Sequence, residues 1–458
     1  MTSSISLLRL VFLSLVPLAA TGEIKNVLFI ISDDLKASAL GCYGNPICKT
    51  PNIDRLAKRG MVFERTYCQG TWCAPSRASF MHGRYRGKGG TNMGEHFRRN
   101  GLHSARVGKI YHMRVPGDII DGTDGQDIAS SWDEKFNMTG REAHTPGDYA
   151  CLNLNIFTKK LEGRQSTRMP HRMFVSVEIP GDGSNQPDWK AADKTVELLR
   201  QNKDRPFFIA TGFVRPHYPH AAPVSHFQKY PFADIPLPKV PKDDWKDIPK
   251  AGLGKSTSQK SGIAKWPENQ RRMWAAYYAT VTFMDDQVGK ILDELDRLKL
   301  TDSTAIVFTS DHGYHLGEHH FWQKSNLHEE VTRVPMIISV PGMKPGRTKA
   351  LTELVDIYPT LSSLLGFAVP DSVQGKSLTP ILKDPAAMVR QGALSLNGGH
   401  AGLRTERWAY MRYQGKGEEL YDMEKDPGQF TNLADDPKKA AFKKMMIHLL
   451  NKRLGEIK

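Results

Sequence analysis

The chain has 458 residues, 40% hydrophobic and 24% charged, with 63 Lys and Arg against 49 Asp and Glu for a formal charge of +14. This composition excludes a disordered or collagen-like chain, and the length exceeds what one hydrophobic core usually serves, so a large unit plus a smaller one is expected. Five cysteines (Cys42, Cys48, Cys68, Cys73 and Cys151) leave at least one unpaired, and a disulfide framework is not what holds a chain this long together; with Cys73 set aside, up to two bridges are open to the other four.

A single cation, Arg9, precedes the apolar stretch Leu10 to Ala20 and the small-residue pattern Ala20-Thr21-Gly22, the order of a secretory signal peptide covering 1–22 and cleaved near Glu23. The stretch is short for a membrane span, so the mature chain is expected to be exported, to periplasm or extracellular space, and free of the membrane. Ile24 to Ile31 is β-branched and almost wholly apolar, the pattern of a strand buried on both faces of a parallel sheet, and Asp33-Asp34 follow its end. Thr50-Pro51, with Ile53, Leu56 and Ala57 and a stop at Gly60, reads as a short helix. Strands of the same type are expected at Ala105–Val107, Phe207–Thr211, Ala305–Thr309 and Met336–Val340.

A long scaffold helix from about Asn269 to Leu298 follows from Met273, Tyr277, Val281, Met284, Val288, Ile291, Leu295 and Leu298, and another spans Asp356 to Leu365 before Gly366. Pro116–Thr145 and Pro231–Lys265 lack periodicity and read as loops. After about Gly375 the pattern changes to short aromatic strands at Trp408–Tyr413 and Leu420-Tyr421, then a terminal helix from about Lys438. The expected architecture is an α/β unit, 23–374, with a large central mostly parallel sheet flanked by helices. A smaller C-terminal α+β subdomain, 375–458, carries a short antiparallel sheet.

The chemistry begins with carboxylates at strand ends. Carboxyl ends of neighbouring parallel strands converge, so Asp33 and Asp34 after one strand and Asp311-His312 after another would offer hard oxygen ligands and an imidazole to a divalent cation. Cys73-Ala74-Pro75-Ser76-Arg77 suits a helix N-terminus, with Pro75 in the first turn. A nucleophile there would gain oxyanion stabilisation from free backbone N–H groups, from Arg77 and from the cation. The positive charge and a pI near 9.4 point to polyanionic partners. No helix-turn-helix, zinc-finger or ribonucleoprotein pattern supports nucleic acid, and export favours a sulfated polysaccharide. Asn137-Met138-Thr139 is formally a glycosylation acceptor.

Cys73 to Gly83-Arg84 resembles the signature of type I sulfatases of the alkaline phosphatase superfamily. Asp33-Asp34-Leu35, Thr50 to Ala57 and Ser310 to His319 bring the resemblance closest to the iduronate-2-sulfatase group and its bacterial relatives. The resemblance implies that a formylglycine-generating enzyme converts Cys73 to formylglycine, whose hydrated aldehyde supplies one hydroxyl as nucleophile and a second that expels sulfate. It implies Asp33, Asp34, Asp311, His312 and position 73 as ligands of Ca²⁺, with Mg²⁺ as the alternative. Within Gly108-Lys109-Ile110-Tyr111-His112 it gives Lys109 and His112 contacts to sulfate and hydrated aldehyde. Phe213 to His217 makes His217 the general acid, and Trp322-Gln323-Lys324 makes Lys324 a cation on the transferred group. Met81 and His82 depart from the signature's usual Leu and Thr, while Cys73, Pro75 and Arg77 are intact.

The leading expectation is therefore an exported sulfatase acting on a sulfated polysaccharide or oligosaccharide. Phosphate-ester or phosphonate hydrolysis is the first alternative, because phosphoryl transfer asks for the same metal, cations and in-line nucleophile. A non-catalytic sulfated-glycan-binding protein with an unconverted Cys73 is the second.

Overall fold

In the computed structural model, which describes residues 23–87 and 89–457, Asn26–Asp33 is a strand with every residue buried. Its side chains divide by alternation: Leu28 and Ile30 enter one core, and Val27, Phe29 and Ile31 enter another. The first core is roofed by the helices Pro187–Gln201 and Pro267–Arg297, through Leu198, Met284 and Ile291 among others. The second is roofed by Cys73–His82, Met93–Arg99 and Ile357–Leu364, through Phe80, Phe97 and Leu361. Two cores on one strand make a sheet sandwiched between helical layers.

That sheet has eight strands, in the order Gly346–Glu353, Met61–Tyr67, Arg333–Ser339, Thr304–Ser310, Asn26–Asp33, Phe207–Pro216, His103–Gly108, Glu134–Phe136. Asn26–Asp33 runs parallel to both neighbours, with Ser32 opposite Ser310 and Val27 opposite Phe208. Arg333–Ser339 is the reversed strand, antiparallel to Thr304–Ser310 and to Met61–Tyr67. The expectation of a parallel strand at Met336–Val340 is corrected here: the connection from Ser310 returns from the edge where the preceding strand ends, so the chain re-enters the sheet in the opposite direction. The sheet is mostly parallel, as expected.

The long helix spans Pro267–Arg297, starting two residues before the periodicity predicts because Pro267 occupies its first turn. The 116–145 segment contains a short helix, Gly117–Asp121, and the edge strand Glu134–Phe136. Beside the main sheet lies a four-stranded one, Ile156–Thr158, Asp148–Cys151, Val175–Ile179 and His220–Pro223 in spatial order, which sequence periodicity did not indicate.

At the C-terminal end, Ala393–Asn397, His400–Arg404, Trp408–Arg412 and Glu418–Asp422 form an antiparallel meander. The helix Ala440–Glu456 packs Met446 and Leu450 against its Leu394, Trp408 and Tyr410. The first two strands were not expected, although Gly398-Gly399, with Asn397 opposite His400, is a two-residue hairpin turn.

None of the five cysteines is disulfide-bonded. The Asn137 side-chain amide donates to Gly122 O at 2.9 Å and Asp124 at 2.8 Å, and its oxygen accepts from Arg106 at 2.9 Å, so it is committed internally rather than presented as a glycan acceptor. The segment 1–22 lies outside the described residues, and among the described residues no helix is long and apolar enough to cross a membrane.

Candidate active site

Four adjacent parallel strands deliver their carboxyl ends to one place. Thr304–Ser310 leads into Asp311-His312, Asn26–Asp33 into Asp34, Phe207–Pro216 into His217, and His103–Gly108 into Lys109. The close pairing of the last two strands requires glycine: a Cβ on Gly212 would stand 2.1 Å from Lys109 O, and one on Gly108, at φ +67°, 2.3 Å from Gly212 O. Cys73, the first residue of its helix, is buried facing this edge.

Around the Cys73 thiol, Asp33 Oδ1 accepts from Sγ at 3.3 Å, His312 Nε2 lies 3.3 Å away, and Lys324 Nζ donates from 3.2 Å. Lys109 Nζ stands 4.0 Å from Sγ and pairs with Asp33; Lys324 also pairs with Asp34. Arg77 Nε donates to Asp311 Oδ2 at 2.9 Å, its NH2 lies 3.6 Å from Asp33, and its NH1 donates to the carbonyls of Lys109 and Ile110. Ser76 Oγ donates to Asp311 O at 2.5 Å, tying the first helical turn to the strand end. His217 Nδ1–H donates to Tyr218 O at 2.6 Å, which leaves Nε2 facing Asp34 Oδ2 at 3.8 Å. His112 stands farther out, its ring edge-on to Trp72 at 6.0 Å. Every residue expected at the site is thus brought to this edge or, for His112, to the cleft above it.

The electrostatics are those of a dry, crowded site. Burial works against the Asp33 charge, yet Lys109, His217, Arg77 and Lys324 hold its carboxyl well below the usual range. Asp34 is pushed up to about 7, because burial outweighs the pull of Lys324 and Asp33 adds like charge. Burial also opposes charge on His312, but Asp311 raises it to about 9. Lys324 is held well above its ordinary value by Asp34, Cys73 and Asp33 against its burial. His112 is pushed down to about 4 by burial and Lys109, and burial and Lys324 hold His217 well below the ordinary imidazole value.

A divalent cation fits this donor set. Ligand atoms of Asp33, Cys73, Asp311 and His312 lie within 4.8 Å of one another, as do those of Asp33, Asp34, Cys73 and His217. Asp34 Oδ2 is buried with no hydrogen-bond partner, and its carboxyl is raised first by burial and then by the like charge of Asp33, both of which a bound cation would offset. The three carboxylates supply the oxygen donors a hard cation takes.

The segment bearing Lys324 is backbone-strained. His319, His320, Gln323 and Ser325 have φ of 53°, 55°, 78° and 75°, a region non-glycine residues rarely adopt. Such strain persists only when surrounding contacts over-determine it. Here His319 Nδ1–H donates to Asp244 at 2.9 Å, Trp245 Nε1 donates to His319 O at 2.6 Å, and His328 Nε2 bonds Glu419 at 3.1 Å. These contacts fasten the segment to the 231–265 loop and to the C-terminal sheet, so both position Lys324.

Above position 73 opens a cleft of about 660 Å³. Its lining includes Trp72, Arg114, Arg172, Tyr218, Lys255 and Asn397, none of which was singled out from sequence. Buried supports were missed as well: Asp188 accepts from Val214 N at 2.7 Å and Arg215 N at 2.9 Å, and Glu142 pairs with Arg215 at 3.2 Å, fixing the turn that presents His217. Asp188 and Glu142 carry no local motif; only tertiary structure shows their role.

The family model described as Sulfatase matches residues 25–367, three quarters of the chain. The chain belongs to the sulfatase family. It is a sulfuric ester hydrolase, and a second model, N-sulphoglucosamine sulphohydrolase, C-terminal, matches residues 317–456. Human iduronate 2-sulfatase is 31% identical over 411 residues, covering 77% of this sulfatase and 70% of the human protein. Among solved structures, one in complex with its substrate D-glucosamine-2-N,6-O-disulfate aligns with TM-score 0.73 and 21% identity, over 95% of this chain and 98% of that one. A phosphonate monoester hydrolase of Agrobacterium radiobacter aligns at TM-score 0.76 and 23% identity, over 94% and 96%. The fold alone therefore does not choose the ester; the family assignment does.

Breaking a buried ion pair from one side leaves an uncompensated charge and costs about 3–5 kcal/mol. Arg77→Met is expected to lose that much stability in urea titrations made without added metal. A loss below about 1 kcal/mol would show that the guanidinium does not hold the strand ends together.

Proposed function

We propose that this sulfatase is exported and removes sulfate esters from a sulfated polysaccharide or its oligosaccharides, with position 73 converted to formylglycine by a formylglycine-generating enzyme. The proposed division of labour is a catalytic unit, 23–374, and a C-terminal subdomain, 375–458. One observation carries the reading: Cys73, Asp33, Asp34, Asp311, His312, Arg77, Lys109 and Lys324 are packed together beneath a cleft with a basic lining. The names iduronate 2-sulfatase and D-glucosamine-2-N,6-O-disulfate, which belong to the similar proteins, support a glycan substrate.

Asp33, Asp34, Asp311, His312 and position 73 would hold Ca²⁺, or Mg²⁺ in its place. When bound, the cation neutralises the carboxylates and polarises the sulfate oxygens. The hydrated aldehyde at position 73 would supply the hydroxyl that attacks sulfur. Lys109 and Lys324 stand 4.0 Å and 3.2 Å from the position 73 side chain and would offset charge on the transferred group, in a buried site where such offsets are strong. Arg77 orients Asp311 and Asp33. His112, on the cleft wall, would contact the sulfate and the aldehyde hydrate.

His217 is the proposed proton donor to the leaving sugar oxygen. Its Nδ1–H is held by Tyr218 O, so Nε2 is the atom that exchanges the proton. Burial and Lys324 keep this imidazole neutral in the free protein, and the negative charge of an incoming sulfate ester raises its affinity for a proton.

His217→Gln is expected to lower kcat on sugar sulfates by about 10²- to 10⁴-fold. On 4-nitrophenyl sulfate, whose phenolate leaves without a proton, the loss should stay below about 10-fold. Equal losses on both would remove His217 from that role. Metal binding has its own readout: at a hundredfold excess over Kd, Ca²⁺ is expected to stabilise chelator-treated protein by about 2.7 kcal/mol. Asp34→Asn should erase most of that gain, and a melting temperature indifferent to Ca²⁺ and Mg²⁺ in the parent protein would contradict the ligand set.

A further inference from the structure

The cleft carries more positive charge than one sulfate group requires. Lys324 serves its floor, with Nζ 6.0 Å from the centre of the Tyr218 ring. The Arg172 guanidinium stands 5.7 Å from the same ring centre. Gln323 Nε2 donates to the Tyr218 hydroxyl at 2.7 Å, and the ring packs against His217 with centroids 4.2 Å apart, so Tyr218 is a fixed reference between the floor and Arg172.

Arg172 lacks a counter-charge. Its Nε donates to the Met169 sulfur at 3.0 Å, a weak acceptor, and among the described residues no carboxylate lies within 4.0 Å of it. Lys255 lines the same cleft, is exposed, and likewise has no acid partner among the described residues. Arg114 differs, since Asp118 neutralises it at 2.7 Å. Asp121 is the only acid among the lining residues. An unpaired arginine on a cleft wall presents the planar fork that takes a carboxylate or sulfate bidentately, and it does not shed its charge to avoid the cost of standing alone.

We infer that Arg172, assisted by Lys255, forms a second anion subsite, so that the preferred substrate carries a second acidic group, carboxylate or sulfate, beside the sulfate that is cleaved. The inference rests on the sulfatase reading of the position 73 site and adds the substrate feature that the rest of the cleft selects. A substrate whose remaining part is cationic is disfavoured by the same charges.

Two substrate pairs test it: a 2-O-sulfated hexuronate disaccharide against its carboxyl methyl ester, and glucosamine 2-N,6-O-disulfate against glucosamine 6-O-sulfate. For protein matured at position 73, kcat/KM is expected to be about 10- to 100-fold higher for the more anionic member of at least one pair, the range of a charged hydrogen bond. Selectivity in the first pair identifies a carboxylate, and in the second a sulfate. Arg172→Gln should bring the selective ratio to within about threefold of one. Ratios near one for both pairs in the parent protein, or a ratio unchanged by Arg172→Gln, overturn the inference. Calorimetric titration of the same compounds into Cys73→Ala separates the two readings. Selective binding there, with no turnover by matured protein, keeps the subsite and removes the sulfatase mechanism, whereas turnover without selectivity does the reverse.

Discussion

Arg77 is the group on which the arrangement depends. Its guanidinium is fully buried and joins its helix to Asp311, Asp33 and the carbonyls of Lys109 and Ile110, which lie at the ends of three different strands. Burial works against its charge, but Asp311 and Asp33 raise its pKa above the ordinary arginine value, so the cation is permanent. A lysine in its place would offer a point charge without the fork that reaches carboxylate and carbonyl together. The site is thus a lattice of opposite charges whose members depend on one another, and removal of one side leaves the other unpaired in a dry interior.

The sheet explains why the lattice is where it is. Parallel strands end at a common edge, and Asp33, Asp34, Asp311, His312, His217 and Lys109 leave from four adjacent ones, so their spacing follows from strand pairing rather than from loop conformation. The exceptions are Cys73 and Arg77, which a helix supplies, and Lys324. Lys324 sits on a segment with strained backbone, held by His319, His328, Asp244 and Glu419, and this makes the C-terminal sheet part of the active-site scaffold although it supplies none of the expected catalytic side chains.

Much of this was legible in the sequence, for identifiable reasons. Ile24 to Ile31 reads as a doubly buried strand because both of its faces meet apolar layers, and the alternation of its side chains between two cores is the structural counterpart. Gly366 marks a helix boundary through its backbone preference, whereas Pro267, which opens the long helix, lies two residues ahead of the apolar periodicity. The direction of Arg333–Ser339 was not legible, because nothing in a buried strand's own residues records which way it runs. The strands Met61–Tyr67 and Gly346–Glu353 were hidden by Glu64, Arg65 and Lys349, which are tolerated toward the sheet edge where solvent reaches them. Arg172 and Lys255 lie in aperiodic segments and gain meaning only from Tyr218 and the cleft. Within the site, the expected residues came from local motifs, whereas their supports, Asp188, Glu142 and Asp244, act across long sequence separations and carry no local signal.

The central claim is that position 73 acts as formylglycine rather than as a thiol, and the mass of the peptide containing it tests that claim most directly. Protein made in its natural host and digested without reductive or alkylating treatment of the aldehyde is expected to show a loss of about 18 Da at position 73 relative to cysteine, the difference between a thiol-bearing and an aldehyde-bearing residue. An unmodified thiol in every molecule of an active preparation would contradict the account, and would assign turnover to a different nucleophile.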